Sequence, residues 1–205
     1  MKKKVVGIDI DEVLRATKNR IIYLYNKDNN KDYENIDYTK YKDMSIEDIL
    51  DYKDEIIKTE YIDNPIDVYY ASRNKITVEE KLETKEDKIF KFLYEDYLVE
   101  IYAFCEKTYM NVANDINLLI SENYENYDFR IIYKDNILTF SPTLLFLHNL
   151  RLYVSSIELY DTYEQVKDRC DIYITADKNY KQYFDKENLF IVGENISRIN
   201  EIKLK

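Results

Sequence analysis

The stretch that most limits how this chain can fold is a short apolar run near its start that ends in two acids. Val5 to Ile10 is almost continuously apolar, which is typical of a strand buried on both faces of a parallel sheet. Asp9 and Asp11 stand two residues apart at its end, so alternation sends both carboxylates to the same side. Such groups repel each other and lose hydration on burial. We expect this pair to hold a cation or to divide acid and base roles.

The chain from residue 128 onward alternates between strand patterns and helix patterns. Ser141 followed by Pro142 fits an N-cap and a first helical position. Regular alternation of this kind is typical of a parallel sheet with right-handed crossovers. We predict strands at 129–133, 152–159, 171–175 and 189–192, and helices at 142–150, 162–169 and 178–184.

Residues 28 to about 125 carry no strong strand pattern. A capping box at Ser45 predicts a helix to about Lys58, a short helical or irregular element is expected at 77–83, and apolar spacing predicts two helical stretches between 84 and 122. The predicted fold class is therefore α/β, with a parallel sheet and a large, mostly helical insertion. The predicted domains are a core formed by residues 1–27 and 128–205 and an insertion at 28–127.

Composition excludes several classes of function. The net charge of −10 argues against general nucleic-acid binding, which needs clustered Lys and Arg. Gly7 and Gly193 are the only glycines, so neither a P-loop nor a dinucleotide-binding GxGxxG motif is present. Cys105 and Cys170 lack metal-ligand spacing, and with His148 as the single histidine we expect partly buried thiols and no zinc site. No apolar run suits a signal peptide or a membrane span, so we expect a cytoplasmic protein, in a host cell or virion if viral.

Tyrosine is unusually frequent, with 22 residues. Its large amphipathic side chain is favoured at interfaces, so the surplus is consistent with protein partners or self-assembly through a tyrosine-rich surface. A genome that enriches Tyr, Asn, Ile and Lys together explains the same composition without a partner.

The first acidic turn resembles the opening motif of the haloacid dehalogenase (HAD) superfamily. That motif reads aspartate-x-aspartate-x-threonine or valine, and residues 9–13 match it. The predicted organisation is also similar, since HAD proteins insert a helical cap into a Rossmann-like sheet soon after its first strand. Short stretches at 92–97, 143–147 and 171–176 look similar to phage-encoded HAD-like proteins related to 5′-nucleotidases.

The resemblance implies a Mg²⁺-dependent phosphomonoesterase, with nucleotides as candidate substrates. Asp9 would attack phosphorus to form an aspartyl-phosphate, and Asp11 would act as acid and base. Mg²⁺ would be held by Asp9, Asp11 and an acid after a later strand, for which Asp177 is available; Asp177 is equally explained as a solvated loop acid. The inserted cap would exclude water, and its tyrosines could stack a base.

The later HAD motifs are incomplete in this chain. A hydroxyl that binds phosphate would come from Thr139 or Ser141 if the second sheet strand runs that far, although Ser141 is also explained as a helix cap. If the strand ends at Tyr133, that longer side chain occupies the place. The lysine of the third motif has no match, and Lys134 or Lys178 could replace it only by proximity.

These gaps support a second interpretation, a catalytically degenerate HAD-fold protein with a structural or assembly role, for example as a phage virion component. Each lost donor or charge clamp costs on the order of 10² to 10³ in rate. The intact Asp9 and Asp11 favour the enzyme, because a purely structural protein has little reason to keep two crowded acids. The incomplete motifs and the tyrosine surplus favour the degenerate protein.

Overall fold

The computed structural model describes residues 2–62 and 76–204. The strands are β1 (Lys4–Ile8), β2 (Glu55–Ile62), β3 (Ile76–Glu83), β4 (Tyr127–Lys134), β5 (Ile157–Tyr160), β6 (Ile172–Thr175) and β7 (Leu189–Ile191). The α-helices are α1 (Thr17–Asp28), α2 (Ile46–Ile49), α3 (Lys85–Lys91), α4 (Leu98–Tyr102), α5 (Val112–Asn123), α6 (Phe140–Leu150) and α7 (Tyr163–Lys167). Five parallel strands form one sheet in the order β5-β4-β1-β6-β7, which confirms the predicted α/β class.

The first strand lies at the centre of this sheet. It pairs with β4, where Lys4 is opposite Tyr127, and with β6, where Val6 is opposite Ile172. Val6 and Ile8 are fully buried, as expected for a strand covered on both faces. The carboxyl end of β1 therefore lies between the carboxyl ends of β4 and β6.

Close packing beside β1 explains one of the two glycines. A Cβ at Gly7 would lie 2.9 Å from both Cys170 Sγ and Tyr173 Cδ2, closer than side-chain atoms normally approach. Cys170 and Cys105 are free thiols, as predicted, and both are buried where partial burial was expected. A side chain at residue 7 would therefore clash with the Cys170 thiol and the Tyr173 ring. Glycine lets β1 and β6 lie side by side with both groups packed against them.

Apolar clusters on the two faces of the sheet form the core. Successive residues of β4 point to opposite faces, so Ile131 joins one cluster and Ile132 the other. The Ile131 face is covered by α5, α6 and residues 196–204, and the Ile132 face by α7 and the turn after β6. A third cluster packs α1 against residues of the insertion, including Leu50, Phe92 and Ile101.

The predicted insertion contains strands as well as helices. Ser45 caps a helix, but this helix ends at Ile49 instead of continuing to Lys58. Residues 55–62 pair with 76–83 as an antiparallel ribbon, so the helix predicted to about Lys58 and the helical or irregular element predicted at 77–83 were both wrong. The β-branched residues of β2 pair with a distant strand, and that pairing outweighs local helix propensity. The helix α5 also falls within 28–127, yet it packs against the sheet.

Several predicted boundaries also moved. The strand predicted at 152–159 is confined to Ile157–Tyr160, and β4 ends at Lys134 well before Thr139. The helix α6 begins at Phe140, so Ser141 is an exposed residue of its first turn and not the N-cap. In the part of the chain that the structure describes, no helix is long and apolar enough to cross a membrane.

Candidate functional site

A cavity of about 780 Å³ opens at the carboxyl ends of β1, β4 and β6. In parallel α/β sheets this edge is where ligands usually bind, because loops from neighbouring strands meet there. The predicted site residues Asp9, Asp11 and Asp177 all line the cavity. The insertion forms the opposite wall with residues that include Met44 and Tyr94. The structure thus brings the three predicted acids to one chamber between the sheet and the insertion.

Asp9 follows β1 and accepts two internal hydrogen bonds. Its Oδ1 accepts from the backbone N–H of Ile10 at 2.9 Å, and its Oδ2 accepts from the Thr175 hydroxyl at 2.6 Å. Burial raises the pKa of Asp9 to about 7, an effect that the Thr175 hydrogen bond reduces and the charges of Asp11 and Asp177 increase. Near neutral pH this carboxyl group is therefore divided between its protonated and ionised forms.

Asp11 forms an ion pair with Arg15, which the sequence analysis did not single out. Asp11 Oδ1 accepts from Arg15 Nε at 2.6 Å and also from the hydroxyl of Thr17. The Arg15 side chain is fully buried, and its Nη1 donates to the Tyr102 carbonyl at 2.9 Å and to Thr143 Oγ1 at 2.8 Å. One of the two predicted catalytic acids is therefore held against a buried guanidinium.

A further acid, Asp135, lines the cavity just after β4, and the sequence analysis missed it as well. Its Oδ1 accepts from the backbone N–H of Asn136 at 2.7 Å. Its Oδ2 is buried without a hydrogen-bond partner and lies 3.9 Å from Arg15 Nη2, which also lacks one. Burial raises the pKa of Asp135 to about 7, and the charge of Asp11 adds to this shift. The sequence contained one signal for Asp135, which is its position just after the second strand of the parallel sheet.

Glu12 organises the turn that follows the two aspartates. Its backbone adopts a left-handed conformation with φ of 59°, which is uncommon for a residue with a side chain. Its carboxylate accepts from the backbone N–H of Lys18 at 2.6 Å, in the first turn of α1, where the N-cap residue Ala16 provides no side-chain acceptor. Burial raises the pKa of Glu12 to about 7. This acid therefore positions the start of α1 at the edge of the cavity.

Asp177 lies on the other side of the cavity, beside two lysines. Its Oδ1 accepts from the backbone N–H of Asn179 and its Oδ2 from the Tyr163 hydroxyl, both at 2.9 Å. Lys134 Nζ lies 4.8 Å from the centre of the Tyr163 ring. Lys134 and Lys178 both line the cavity, and neither forms an ion pair with a carboxylate of residues 2–62 or 76–204. These two ammonium groups are available to an anionic ligand.

The structure does not bring the two predicted hydroxyl residues to the cavity. Thr139 is fully buried, and its hydroxyl donates to the Asn136 carbonyl at 2.8 Å. Ser141 is exposed on α6, and neither residue is part of the cavity lining. A loop between Lys134 and α6 takes the chain away from the cavity before either residue is reached.

The expected Mg²⁺ site has suitable donor atoms but not a suitable arrangement. Mg²⁺ prefers oxygen ligands in near-octahedral geometry, and carboxylates supply them. Within the two described ranges, however, no group of three or more His, Cys, Asp or Glu residues is arranged to hold a metal ion. Asp9 and Asp177 direct both oxygens at protein donors, and Asp11 directs one at Arg15 and Thr17. As placed, these side chains do not fit a Mg²⁺ centre.

Neither a scan against models of protein families nor a search of curated proteins finds a match to this chain.

Proposed function

We propose that the cavity binds a phosphate monoester and that the protein is a HAD-like phosphomonoesterase. One observation carries this proposal: Asp9 and Asp11 line the same cavity as Lys134 and Lys178, at the carboxyl edge of a parallel sheet. A carboxylate suited to attack phosphorus and cations suited to hold phosphate thus face a common volume. The match of residues 9–13 to the first HAD motif supports the same chemistry.

The proposed reaction begins at Asp9. A carboxylate oxygen of Asp9 forms a bond to phosphorus while the bond from phosphorus to the leaving alcohol oxygen breaks, which yields an aspartyl-phosphate. The leaving oxygen takes a proton from an acid, a role that the resemblance gives to Asp11. A water molecule then gives a proton back to that group and attacks the same phosphorus, while the bond from the Asp9 oxygen to phosphorus breaks, which releases inorganic phosphate and regenerates the Asp9 carboxylate. Only ionised Asp9 can attack, so its raised pKa predicts that activity increases with pH through about 7.

Aromatic residues on the insertion side support nucleotides as candidate substrates. Tyr94 and Tyr102 line the cavity, and their rings are stacked with centroids 6.1 Å apart and planes 9° apart. Tyr102 is buried beside Tyr94 and Arg15, so a planar base would pack against the partly exposed Tyr94 while Lys134 or Lys178 contacts the phosphate. In this proposal the substrate spans the cavity from the insertion to the sheet.

A second candidate, a degenerate HAD-fold protein with an assembly role, is favoured by two separate observations. The pairing of Asp11 with Arg15 removes one acid from the expected metal site. In addition, the β2–β3 ribbon exposes Ile56, Ile57 and Leu82. A two-stranded ribbon is marginally stable alone and its free edges can pair with another chain, so this segment suits contact with a partner or a second copy.

The enzyme proposal is tested by measuring phosphate release from an aryl phosphate and a panel of nucleotides, with and without Mg²⁺. We expect release by the wild type and a loss of at least about 10³-fold in Asp9→Asn, because removal of a nucleophile is among the most costly changes in an enzyme. Asp168→Asn changes an exposed acid after α7 and should keep wild-type activity. Activity that survives in Asp9→Asn would contradict the assignment of the nucleophile.

The assembly proposal predicts the opposite result in that assay, with no phosphate release from any substrate. Sedimentation velocity should then show self-association of the wild type that Ile56→Ser with Leu82→Ser reduces, because both changes remove exposed apolar surface from the ribbon. A wild type that is monomeric at all concentrations and inactive on every phosphate ester would remove the support for self-assembly.

A further inference from the structure

The buried guanidinium of Arg15 carries an inference about the cation at this site. Its side chain is fully buried, and a buried charge is strongly unfavourable unless it is paired and hydrogen-bonded. A guanidinium also stays protonated in a protein interior, so burial does not remove its charge. A permanent positive charge therefore resides inside the fold beside the cavity.

This charge lies between acids from two neighbouring strands. Asp11 follows β1 and contacts Arg15 Nε at 2.6 Å, and Asp135 follows β4 with its Oδ2 3.9 Å from Arg15 Nη2. The two strands are adjacent and parallel, so the acids approach the guanidinium from neighbouring points on the sheet edge. A cation that bridged the carboxylates after these strands would occupy the same region.

The surroundings of Arg15 fix it in this position. Nη1 donates to Thr143 Oγ1 on α6 and to the carbonyl of Tyr102 on α4. The guanidinium carbon lies 4.8 Å from the centre of the Tyr102 ring and 5.9 Å from that of Phe146. Contacts of this kind stabilise a cation and hold its plane. Arg15 cannot withdraw from the acids without breaking hydrogen bonds to two helices.

We propose that Arg15 is a built-in cation that takes the place of a divalent metal ion between Asp11 and Asp135. The protein then binds no divalent cation through Asp11 while Arg15 is in place. This inference rests on the proposed function only for the location of the site. Because it concerns cation binding, it can be tested separately from hydrolysis.

The test is a titration with Mn²⁺, a paramagnetic substitute for Mg²⁺, followed by electron paramagnetic resonance at fixed ionic strength. We expect that any Mn²⁺ binding by the wild type changes by less than about tenfold in Asp11→Asn, which corresponds to less than about 1.4 kcal/mol. In Arg15→Met, which removes the charge but keeps an unbranched side chain, Mn²⁺ should bind at least about tenfold more tightly than in the wild type. Adding Asp11→Asn to this variant should abolish the gain.

Arg20→Met is the matched control, because Arg20 is a partly exposed arginine of α1 whose guanidinium lies 3.7 Å from Glu106. This variant should bind Mn²⁺ as the wild type does. A wild-type site that Asp11→Asn weakens by more than tenfold would overturn the proposal, whether or not the protein hydrolyses phosphate esters. If Arg15→Met does not fold, this comparison of wild type with Asp11→Asn still decides the matter.

Discussion

Replacing Asp9 by asparagine should stabilise the protein at high pH and have little effect at low pH. Burial raises the pKa of Asp9 in the folded protein to about 7 from its ordinary value of 3.8, and a pKa difference of one corresponds to 1.36 kcal/mol. Below about pH 3.8 the group is protonated in both states and carries no ionisation penalty. As pH rises towards 7 the unfolded chain releases this proton first, so stability falls, by about 4 kcal/mol in total. Above about pH 7 the loss is complete and constant.

Asparagine avoids this loss because it does not ionise and has nearly the same shape. Its amide oxygen can accept from the Ile10 N–H, and its NH₂ can donate to the Thr175 hydroxyl oxygen, so both hydrogen bonds of Asp9 have a substitute. We therefore expect Asp9→Asn to exceed the wild type in free energy of unfolding by up to about 4 kcal/mol at pH 8. At pH 4 the difference should be within about 0.5 kcal/mol, as for an ordinary neutral substitution.

The measurement is urea denaturation of both proteins at several pH values from 4 to 8, with Asp168→Asn as a control for loss of an exposed charge. The control should follow the wild type at every pH, since Asp168 is exposed. Equal unfolding free energies of wild type and Asp9→Asn across this range would refute the reasoning. A variant less stable than the wild type at pH 8 would do so as well, because it would mean that ionised Asp9 is a net stabilising group.

Two further changes test the packing around the sheet and the end of α6. Gly7→Ala should lower the free energy of unfolding by about 1–3 kcal/mol, because the new methyl group meets Cys170 Sγ and the Tyr173 ring at 2.9 Å. Adding Cys170→Ala to this variant should recover part of the loss. An unchanged midpoint of urea denaturation in Gly7→Ala would contradict the close packing. Arg151→Gly should raise the free energy by about 1 kcal/mol, since the C-cap of α6 has φ of 53° and glycine adopts this conformation without strain. Asn30→Gly, at another residue with φ of 53°, should gain less because asparagine tolerates this region better than arginine, and a larger gain at Asn30 would oppose the argument.

The sheet could be predicted from sequence because its strands carry a strong local pattern. A strand that is buried on both faces appears in the sequence as an apolar run. This is the case for Val5 to Ile10 and for the strands that alternate with helices after residue 128. The β2–β3 ribbon could not be predicted, because residues 55–59 and 79–82 are exposed and mix charged with apolar side chains. Since neither face is buried at these residues, they carry no regular alternation of apolar and polar side chains that would predict a strand. HAD membership stays a prediction from residues 9–13 and the order of elements.

The strand pattern also predicted some of the site residues, but it could not predict the others. Asp9, Asp11 and Asp177 stand directly after strands, so their meeting at one edge follows from parallel topology. Arg15 was missed because a single arginine in a sequence rich in charged residues is usually an exposed side chain. Its burial depends on Tyr102 and Thr143, which are distant in sequence. No local pattern around residue 15 contains that information.

The central place of β1 has a consequence for the order in which the chain can fold. This strand is made before its two partners, since residues 4–8 pair with 127–131 and residues 6–8 pair with 172–174. At 5–20 residues per second, synthesis needs on the order of 10 s to reach β4. Until then the apolar run has no sheet to join, and closing so long a loop is slow. Asp9 and Asp11 repel each other in the folded site. While β1 is still unpaired, their charges keep the apolar run hydrated and so oppose its association with other chains.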